Sequence, residues 1–206
     1  MDNYINVFGI PIFNGKLEIE DEIIKKLKNI SIKRLKIDNG FTSTETKILH
    51  KEEYISLRNQ INDKLNIFLY DIIKIKKNQK FKLMNSWINI HKKNDWAQAH
   101  EHSNSYISGI VYLDVNDESG KLVFYKERNW LNIFPKTPEL NFEEYNEINS
   151  QTWSYIPKNN DIFLFPSFLT HSVEKNLSNK DRYSLAFNFY PEGEFGSNEE
   201  NCYLKI

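Results

Sequence analysis

Three histidines in the second half of the chain have the type and spacing of metal ligands. His100 and His102 are separated by one residue, and His171 follows in a later apolar segment. Because alternate residues of an extended strand face the same side, we expect both imidazoles to project together while Glu101 faces away. A third imidazole from a second strand completes a donor set that suits a borderline divalent metal. The spacing therefore predicts a metal site formed by His100, His102 and His171.

The other two of the five histidines have no second ligand at a suitable spacing. His50 follows a predicted loop, and His91 ends a predicted strand before a turn. A single histidine is more often a hydrogen-bonded structural residue than a metal ligand. We therefore interpret both His50 and His91 as structural.

A candidate anion-binding group follows His171. Arg182 and Ser184 share one face of a predicted apolar strand. A turn-like segment at 176–180 separates this strand from the one that carries His171, so we expect the two strands to be neighbours in a hairpin-like pair. A guanidinium forms two parallel charge-assisted hydrogen bonds to a carboxylate, and a neighbouring hydroxyl adds a third donor. Tyr112 is a further candidate donor, with a core position as its alternative. These residues predict a site for the tail of a dicarboxylate; the alternative is a surface arginine paired with a nearby carboxylate.

The composition favours one soluble domain of a reducing compartment. The chain has 206 residues, 40% of them hydrophobic and 14% aromatic, and can bury one sizeable core. Basic and acidic side chains number 27 and 28, a balance that gives no bias towards nucleic acid. The single cysteine, Cys202, excludes an intrachain disulfide. With no leader-like start and no membrane-spanning run, we expect a cytoplasmic protein that does not bind a membrane.

Hydrophobic periodicity divides the chain into a helical first part and a strand-rich remainder. Apolar residues spaced by three and four predict amphipathic helices at 17–35 and 52–75, separated by a turn and loop at 38–44. After these helices, short runs of β-branched and aromatic residues predict eight strands. The predicted strands are 81–91, 96–103, 105–115, 121–126, 151–156, 161–165, 170–174 and 182–190.

Eight strands are the number found in a double-sheet jelly roll. We therefore expect a mainly β fold with N-terminal helices. The expected single domain, 1–206, has a helical scaffold at 1–80 packed on a jelly-roll core at 81–206. A long segment at 126–151 interrupts the strands, and loops of this length are commonly lids or binding loops. We interpret it as the candidate for substrate selection, with a solvated excursion of no function as the alternative.

The order of the motifs resembles that of the iron(II)- and 2-oxoglutarate-dependent oxygenases found in marine bacteria and their phages. The motifs are His-x-His, Ser-Gly-x-x-Tyr-Leu, Phe-Pro-Ser-x-x-x-His and Arg-x-Ser-x-x-Phe-Asn, at 100–102, 108–113, 165–171 and 182–188. The opening segment, 7–13, also resembles the amino end of that family. The resemblance implies a cupin-like double-stranded β-helix with the metal at one mouth.

The same resemblance implies an enzyme, a non-haem iron dioxygenase that uses Fe(II), 2-oxoglutarate and O2. The 2-oxoglutarate binds iron through its C1 carboxylate and 2-oxo group, while Arg182, Ser184 and Tyr112 hold its C5 carboxylate. Hydroxylation of a substrate then accompanies the release of succinate and CO2. The residues expected to border the substrate, with core positions as the alternative, are Asn188, Asn89 and Trp87.

One position departs from the wider superfamily, which uses His-x-Asp or His-x-Glu with a distal histidine. Here His102 stands where the carboxylate is expected. Glu101 is a poor replacement, because adjacent strand residues face opposite sides. An all-histidine set removes one negative charge and makes the metal a stronger Lewis acid. By spacing alone, three imidazoles suit zinc as well as iron.

Two other classes of protein fit the same residues. The first is a three-histidine metalloenzyme that does not use 2-oxoglutarate, either a dioxygenase that binds its substrate directly or a zinc hydrolase. The second is a non-catalytic jelly-roll binding protein. The substrate stays open between a peptidyl side chain, a nucleobase and a small metabolite. The N-terminal helices pack either on their own barrel or on a second copy in a homodimer.

Overall fold

Two antiparallel sheets face each other in the computed structural model, which describes residues 9–35, 39–126, 140–196, 199 and 202–206. The larger sheet has seven strands, the smaller has four, and a third sheet has two. The strands in chain order are β1 Phe13–Lys16, β2 Ile32–Arg34, β3 Phe41–Ser43, β4 Lys80–His91, β5 Ala97–His100, β6 Ile107–Asp114, β7 Leu122–Tyr125, β8 Thr152–Tyr155, β9 Asp161–Pro166, β10 His171–Val173, β11 Arg182–Glu192, β12 Glu194–Phe195 and β13 Leu204–Lys205.

The strand order confirms the predicted jelly roll. The larger sheet runs β1-β9-β6-β11-β4-β3-β2, and the smaller runs β5-β10-β7-β8. The eight predicted strands form the four consecutive strands β9, β6, β11 and β4 together with the whole of the smaller sheet. Strand β1 extends one edge of the larger sheet, and β3 and β2 extend the other.

The larger sheet separates two hydrophobic cores. Its outer face packs against the helices, and its inner face packs against the smaller sheet through a mainly aromatic cluster that includes Phe124, Phe163 and Phe165. Because side chains alternate along a strand, β11 serves both faces. Leu185 and Phe187 are buried in the outer core, so the alternate residues Ser184, Ala186 and Asn188 face the space between the sheets.

The helical part lies on the outer face of the larger sheet. It consists of α1 (Asp21–Lys28), two short 3-10 helices (Ile48–His50 and Glu52–Tyr54), α2 (Ile55–Asn66) and a π-helical turn (Ile67–Ile72). The predicted helix at 52–75 is present, and its predicted apolar stripe is buried. The stripe comprises Tyr54, Leu57, Ile61, Leu65, Phe68 and Leu69. Among the described helices, none is long and apolar enough to cross a membrane.

The predictions for the first third of the chain were partly wrong. The helix predicted at 17–35 is confined to α1, and its last part forms strand β2. Strand β2 pairs with β3, which occupies part of the predicted loop at 38–44. All three side chains of β2 are exposed, so backbone hydrogen bonds rather than burial form this edge strand, and periodicity does not report them. In the long segment predicted as a loop, residues 127–139 lie outside the described part of the chain.

Candidate metal centre and anion pocket

The three predicted ligands come together at the smaller sheet. His100 is the last residue of β5, His171 is the first of β10, and the two are paired in register. His102 lies beyond β5, where its backbone N–H donates to the Ser167 carbonyl. The predicted strand at 96–103 is therefore too long, because the chain leaves the sheet after His100. One ring nitrogen from each histidine nevertheless lies within 4.8 Å of the other two.

The hydrogen bonds of the rings determine which nitrogen is available to a metal. Each Nδ1 lies against an oxygen that only accepts, so each Nδ1 carries the proton and each Nε2 keeps a lone pair. The acceptors are the Gln98 carbonyl for His100 at 2.8 Å, Asn188 Oδ1 for His102 at 2.8 Å and the Leu169 carbonyl for His171 at 2.9 Å.

The arrangement of these lone pairs fits a bound cation. The Nε2 atoms of His100 and His102 are 3.2 Å apart, and two lone pairs at that distance repel each other unless a positive charge lies between them. Burial lowers the pKa of His102 and lowers that of His171 to about 3, so these rings are neutral at pH 7. A divalent metal bound by three neutral Nε2 atoms satisfies the site.

A polar network fixes the ring of His102. Asn188 is buried on β11, and its Oδ1 accepts from His102 Nδ1. Ser108 Oγ lies 2.9 Å from the same Nδ1 and donates to Asn188 Oδ1 at 2.8 Å. Ser167 Oγ lies 2.9 Å from Ser108 Oγ and donates to Ser105. Asn188, expected from sequence to border the substrate, is thus hydrogen-bonded to His102 and Ser108, and its place in the Arg-x-Ser-x-x-Phe-Asn motif was the sequence signal for it.

Glu101 supports the same loop from outside. It is exposed, and its carboxylate is not part of the ligand cluster. Its Oε1 accepts a hydrogen bond of 2.8 Å from Thr170 Oγ1. Because Thr170 directly precedes His171, this bond connects the segment that carries His102 to strand β10.

Arg182 faces the metal cluster from the opposite sheet. It lies on β11 of the larger sheet, whereas His171 lies on β10 of the smaller, so the predicted hairpin-like pairing is wrong. The predicted alternative, a surface arginine, is also wrong, because Arg182 is 0% exposed. Its guanidinium makes only long contacts: Nη1 is 3.4 and 3.5 Å from the Ser119 and Gly120 carbonyls, and Nη2 is 3.4 Å from the Tyr112 hydroxyl.

The pocket around Arg182 has unpaired donors and no negative charge to balance it. No carboxylate of the described residues forms a salt bridge with Arg182. In the same part of the chain, Arg182 Nε and Ser184 Oγ are buried without a hydrogen-bond partner. Burial raises the pKa of Tyr112 to about 12, so its hydroxyl stays protonated beside the guanidinium. Such a pocket is complementary to a carboxylate.

Strand β4 forms the adjacent wall of the pocket. His91, Asn89 and Trp87 are the register partners of Arg182, Ser184 and Ala186 on β11, so they share its inner face. Trp87 and Asn89 are half-buried, and the Trp87 ring lies 5.8 Å from the His102 ring. His91, interpreted from sequence as structural, lies beside Arg182, and both of its ring nitrogens are buried without a partner among the described residues. The only sequence signal for this position was that His91 alternates with Asn89 and Trp87, so the three share one face of the strand.

The fold and the two sites together define a class: jelly-roll proteins that bind a metal through one sheet and an anion through the other. Residues 85–188 match the family described as "Putative 2OG-Fe(II) oxygenase", and the chain belongs to this family of iron(II)- and 2-oxoglutarate-dependent oxygenases. The match begins within β4 and ends at Asn188, so it contains the three histidines, the arginine pocket and His91. A comparison with curated proteins finds no match.

Solved structures with the same fold include three bacterial proteins. HygX from Streptomyces hygroscopicus, determined with nickel and 2-oxoglutarate bound, is 13% identical over 87% of this chain and 82% of its own, with a TM-score of 0.57. A Pseudomonas putida prolyl-4-hydroxylase is 11% identical over 89% and 94%, with a TM-score of 0.55. A Burkholderia pseudomallei 2OG-Fe(II) oxygenase family oxidoreductase is 12% identical over 82% and 78%, also with a TM-score of 0.55. These likenesses show the fold.

Proposed function

We propose that this oxygenase hydroxylates its substrate with the three histidines as iron ligands and the Arg182 pocket as the anchor of 2-oxoglutarate. The reaction converts the substrate C–H, 2-oxoglutarate and O2 into the hydroxylated substrate, succinate and CO2. His100, His102 and His171 bind Fe(II) through Nε2. Arg182, Ser184 and Tyr112 bind the distal carboxylate, as the sequence predicts.

The observation that carries this proposal is the pairing of two unsatisfied sites between the two sheets. The Nε2 lone pairs of His100, His171 and the nearby His102 suit a cation, and a fully buried guanidinium on the larger sheet suits an anion. A 2-oxo dicarboxylate meets both requirements, since one end chelates a metal and the other presents a carboxylate. An enzyme that does not use 2-oxoglutarate gives no role to Arg182, which forms no salt bridge with a carboxylate of the described residues.

Bound iron with 2-oxoglutarate supplies the activation of dioxygen, and the protein supplies position. The Nδ1 hydrogen bonds hold the three rings with Nε2 inward. His102 lies outside the strand, and Asn188 and Ser108 fix the orientation of its ring. The aromatic cluster between the sheets, with Phe124 and Phe165 beside His171, excludes water from the metal. Arg182 orients the cosubstrate by a charge that burial prevents solvent from screening.

The proposed substrate position is beside Trp87 and Asn89. Both are half-buried on the inner face of β4, and the Trp87 ring is adjacent to the His102 ring, which supports a substrate position next to the histidine cluster. A small molecule or an exposed protein side chain fits this position. We expect a cytoplasmic protein of one domain. Its N-terminal helices pack on their own sheet, so a homodimer would have to form through another surface, and the oligomeric state is the quantity to measure.

The test is anaerobic titration of Fe(II)-loaded protein with 2-oxoglutarate, followed by its weak visible charge-transfer band. We expect the band in the wild type, its loss in His102→Ala, and a much higher 2-oxoglutarate requirement in Arg182→Ala. His50→Ala is the matched control, because His50 is exposed and lies outside the site. Iron binding without a band would favour a three-histidine enzyme that does not use 2-oxoglutarate. Failure to bind iron would favour zinc or a structural role.

A further inference from the structure

His91 is the least satisfied buried side chain of the inner face. It is 3% exposed, and neither Nδ1 nor Nε2 has a hydrogen-bond partner among the described residues. A neutral imidazole has one donor and one acceptor, and burying both without partners costs free energy. An apolar side chain of similar shape would avoid that cost, so His91 needs an explanation other than packing.

The unpaired atoms around His91 form a single patch. Arg182 Nε and Ser184 Oγ are also buried without partners, and they lie on the strand that pairs with β4. His91 is the direct register partner of Arg182, and directly paired residues carry their side chains on the same face, about 4.5–5.5 Å apart. Three neighbouring side chains therefore present unpaired polar atoms to one small volume between the sheets.

Backbone packing holds the His91 ring against this volume. Gly40 lies next to it, and a Cβ at that position would be 3.1 Å from His91 Cδ2 and 3.4 Å from Nε2. Strand β4 lies between β11 and β3, so Gly40, just before β3, contacts the His91 ring from the side away from Arg182. The ring is also neutral, because burial first and the charge of Arg182 second lower the pKa of His91 to about 3. A neutral donor adds no second cation beside the guanidinium.

We propose that His91 donates a hydrogen bond to the distal carboxylate of 2-oxoglutarate, as a further binding residue beside Arg182, Ser184 and Tyr112. This inference rests on the proposed function, because the carboxylate is that of the cosubstrate. It assigns a role to the one buried histidine outside the metal cluster. It also accounts for the geometry of Arg182, whose existing contacts are long and leave Nε free for the same anion.

The experiment compares two 2-oxo acids on Fe(II)-loaded protein without oxygen. 2-Oxoglutarate carries the distal carboxylate, and 2-oxobutyrate lacks it but chelates the metal in the same way. The variants are His91→Phe, which keeps the shape without polar atoms, and His91→Gln, which keeps a donor. His50→Phe is the control for loss of an exposed histidine. Each dissociation constant is read from the charge-transfer band, and Fe(II) affinity and the melting temperature of the metal-free protein are measured separately.

For His91→Phe we expect 2-oxoglutarate to bind about 10- to 100-fold more weakly, the effect of losing one charge-assisted hydrogen bond. Affinities for 2-oxobutyrate and Fe(II) should stay within about twofold of the wild type. His91→Gln should recover part of the loss, and the melting temperature of metal-free His91→Phe should be unchanged or higher. An equal loss for both 2-oxo acids, no loss, or a large drop in melting temperature would overturn the inference.

A measurement on the unmodified protein gives an independent result. In Zn(II)-loaded protein with 15N-labelled histidine, 2-oxoglutarate should bring a His91 ring N–H proton into a slowly exchanging, downfield position, and 2-oxobutyrate should not. No difference between the two ligands would contradict the role of His91. Failure of the proposed function is distinguishable, because the wild type would then bind neither 2-oxo acid.

Discussion

Replacement of Arg182 by methionine should stabilise the metal-free protein and abolish tight binding of 2-oxoglutarate. Arg182 is fully buried, has no carboxylate partner among the described residues, and makes contacts of 3.4 Å or more. A buried charge without a counterion costs folding free energy. In the wild type the guanidinium lies over the Tyr112 ring, and a methionine side chain at this position would pack against the same ring without that cost.

The two effects have opposite signs and can be estimated. Replacing buried ionic groups by apolar ones of similar volume is often neutral or stabilising by about 1–4 kcal/mol. In a protein of this size, each kcal/mol raises the melting temperature by about 2–4 °C. Truncating the partner of a bound charge costs about 2–5 kcal/mol of binding, so the dissociation constant of 2-oxoglutarate should rise about 30- to 5,000-fold.

Urea denaturation of the metal-free protein measures the first effect, and anaerobic titration of the Fe(II)-loaded protein measures the second. Arg182→Lys is the matched variant: it keeps the charge but loses the planar fork, so it should recover only part of the binding. If Arg182→Met unfolded at lower urea than the wild type and bound 2-oxoglutarate normally, Arg182 would be a structural residue. The assignment of the anion pocket would then be refuted.

Three further predictions follow from the same contacts. Asn188→Ala should lower Fe(II) affinity about 10- to 100-fold, because it releases the ring of His102; competition with a chelator measures this, and an unchanged affinity would rule out the positioning role. Between pH 7 and 5, the metal-free wild type should lose about 2 kcal/mol more stability than His91→Phe. The pKa of His91 in the folded protein, about 3, lies below the ordinary histidine value of 6.5. The stability that depends on its neutral form is therefore complete above pH 6.5 and is lost at lower pH, as the unfolded state takes up a proton; parallel urea curves at both pH values would disprove it. Gly109→Ala should destabilise by about 1–3 kcal/mol in urea, since its Cβ would lie 2.2 Å from the Phe187 ring, and equal midpoints would show that the core can yield.

The strands of the barrel were predictable from sequence because most of them are short runs of β-branched and aromatic residues between turns; β8 was found this way although three of its four side chains are exposed. In β6 and β9, nearly every side chain is buried, and turns separate the runs clearly. Strand β2 was not predictable, since its three side chains are exposed and its only support is pairing with β3. Its partner β3 was missed for a different reason: two of its three side chains are buried, but the strand is short and lies within a turn-rich segment. Edge strands depend on a neighbour that periodicity does not reveal.

The candidate site was predicted in its residue types but not in its geometry. The His-x-His spacing identified residues that come together with His171 in the structure, although His102 lies outside the strand and is held by a backbone hydrogen bond to Ser167. Sequence separation suggested that His171 and Arg182 are neighbours, whereas they occupy opposite sheets. The neighbourhood of His91 and Arg182 was not predicted from sequence. It arises from the pairing of β4 with β11, two strands that are far apart in the sequence, and the spacing rule for metal ligands does not detect such a pair.

The position of the unpaired polar atoms connects the stability of this fold with its function. Four of the six buried side-chain atoms without hydrogen-bond partners among the described residues belong to His91, Arg182 and Ser184. Elsewhere, buried polar groups such as Ser86 and Asn176 are hydrogen-bonded. A sequence selected only for stability would fill this pocket with apolar side chains, which cost less to bury. The unsatisfied donors are therefore best explained as a preformed carboxylate site, whose folding cost is recovered when the anion binds.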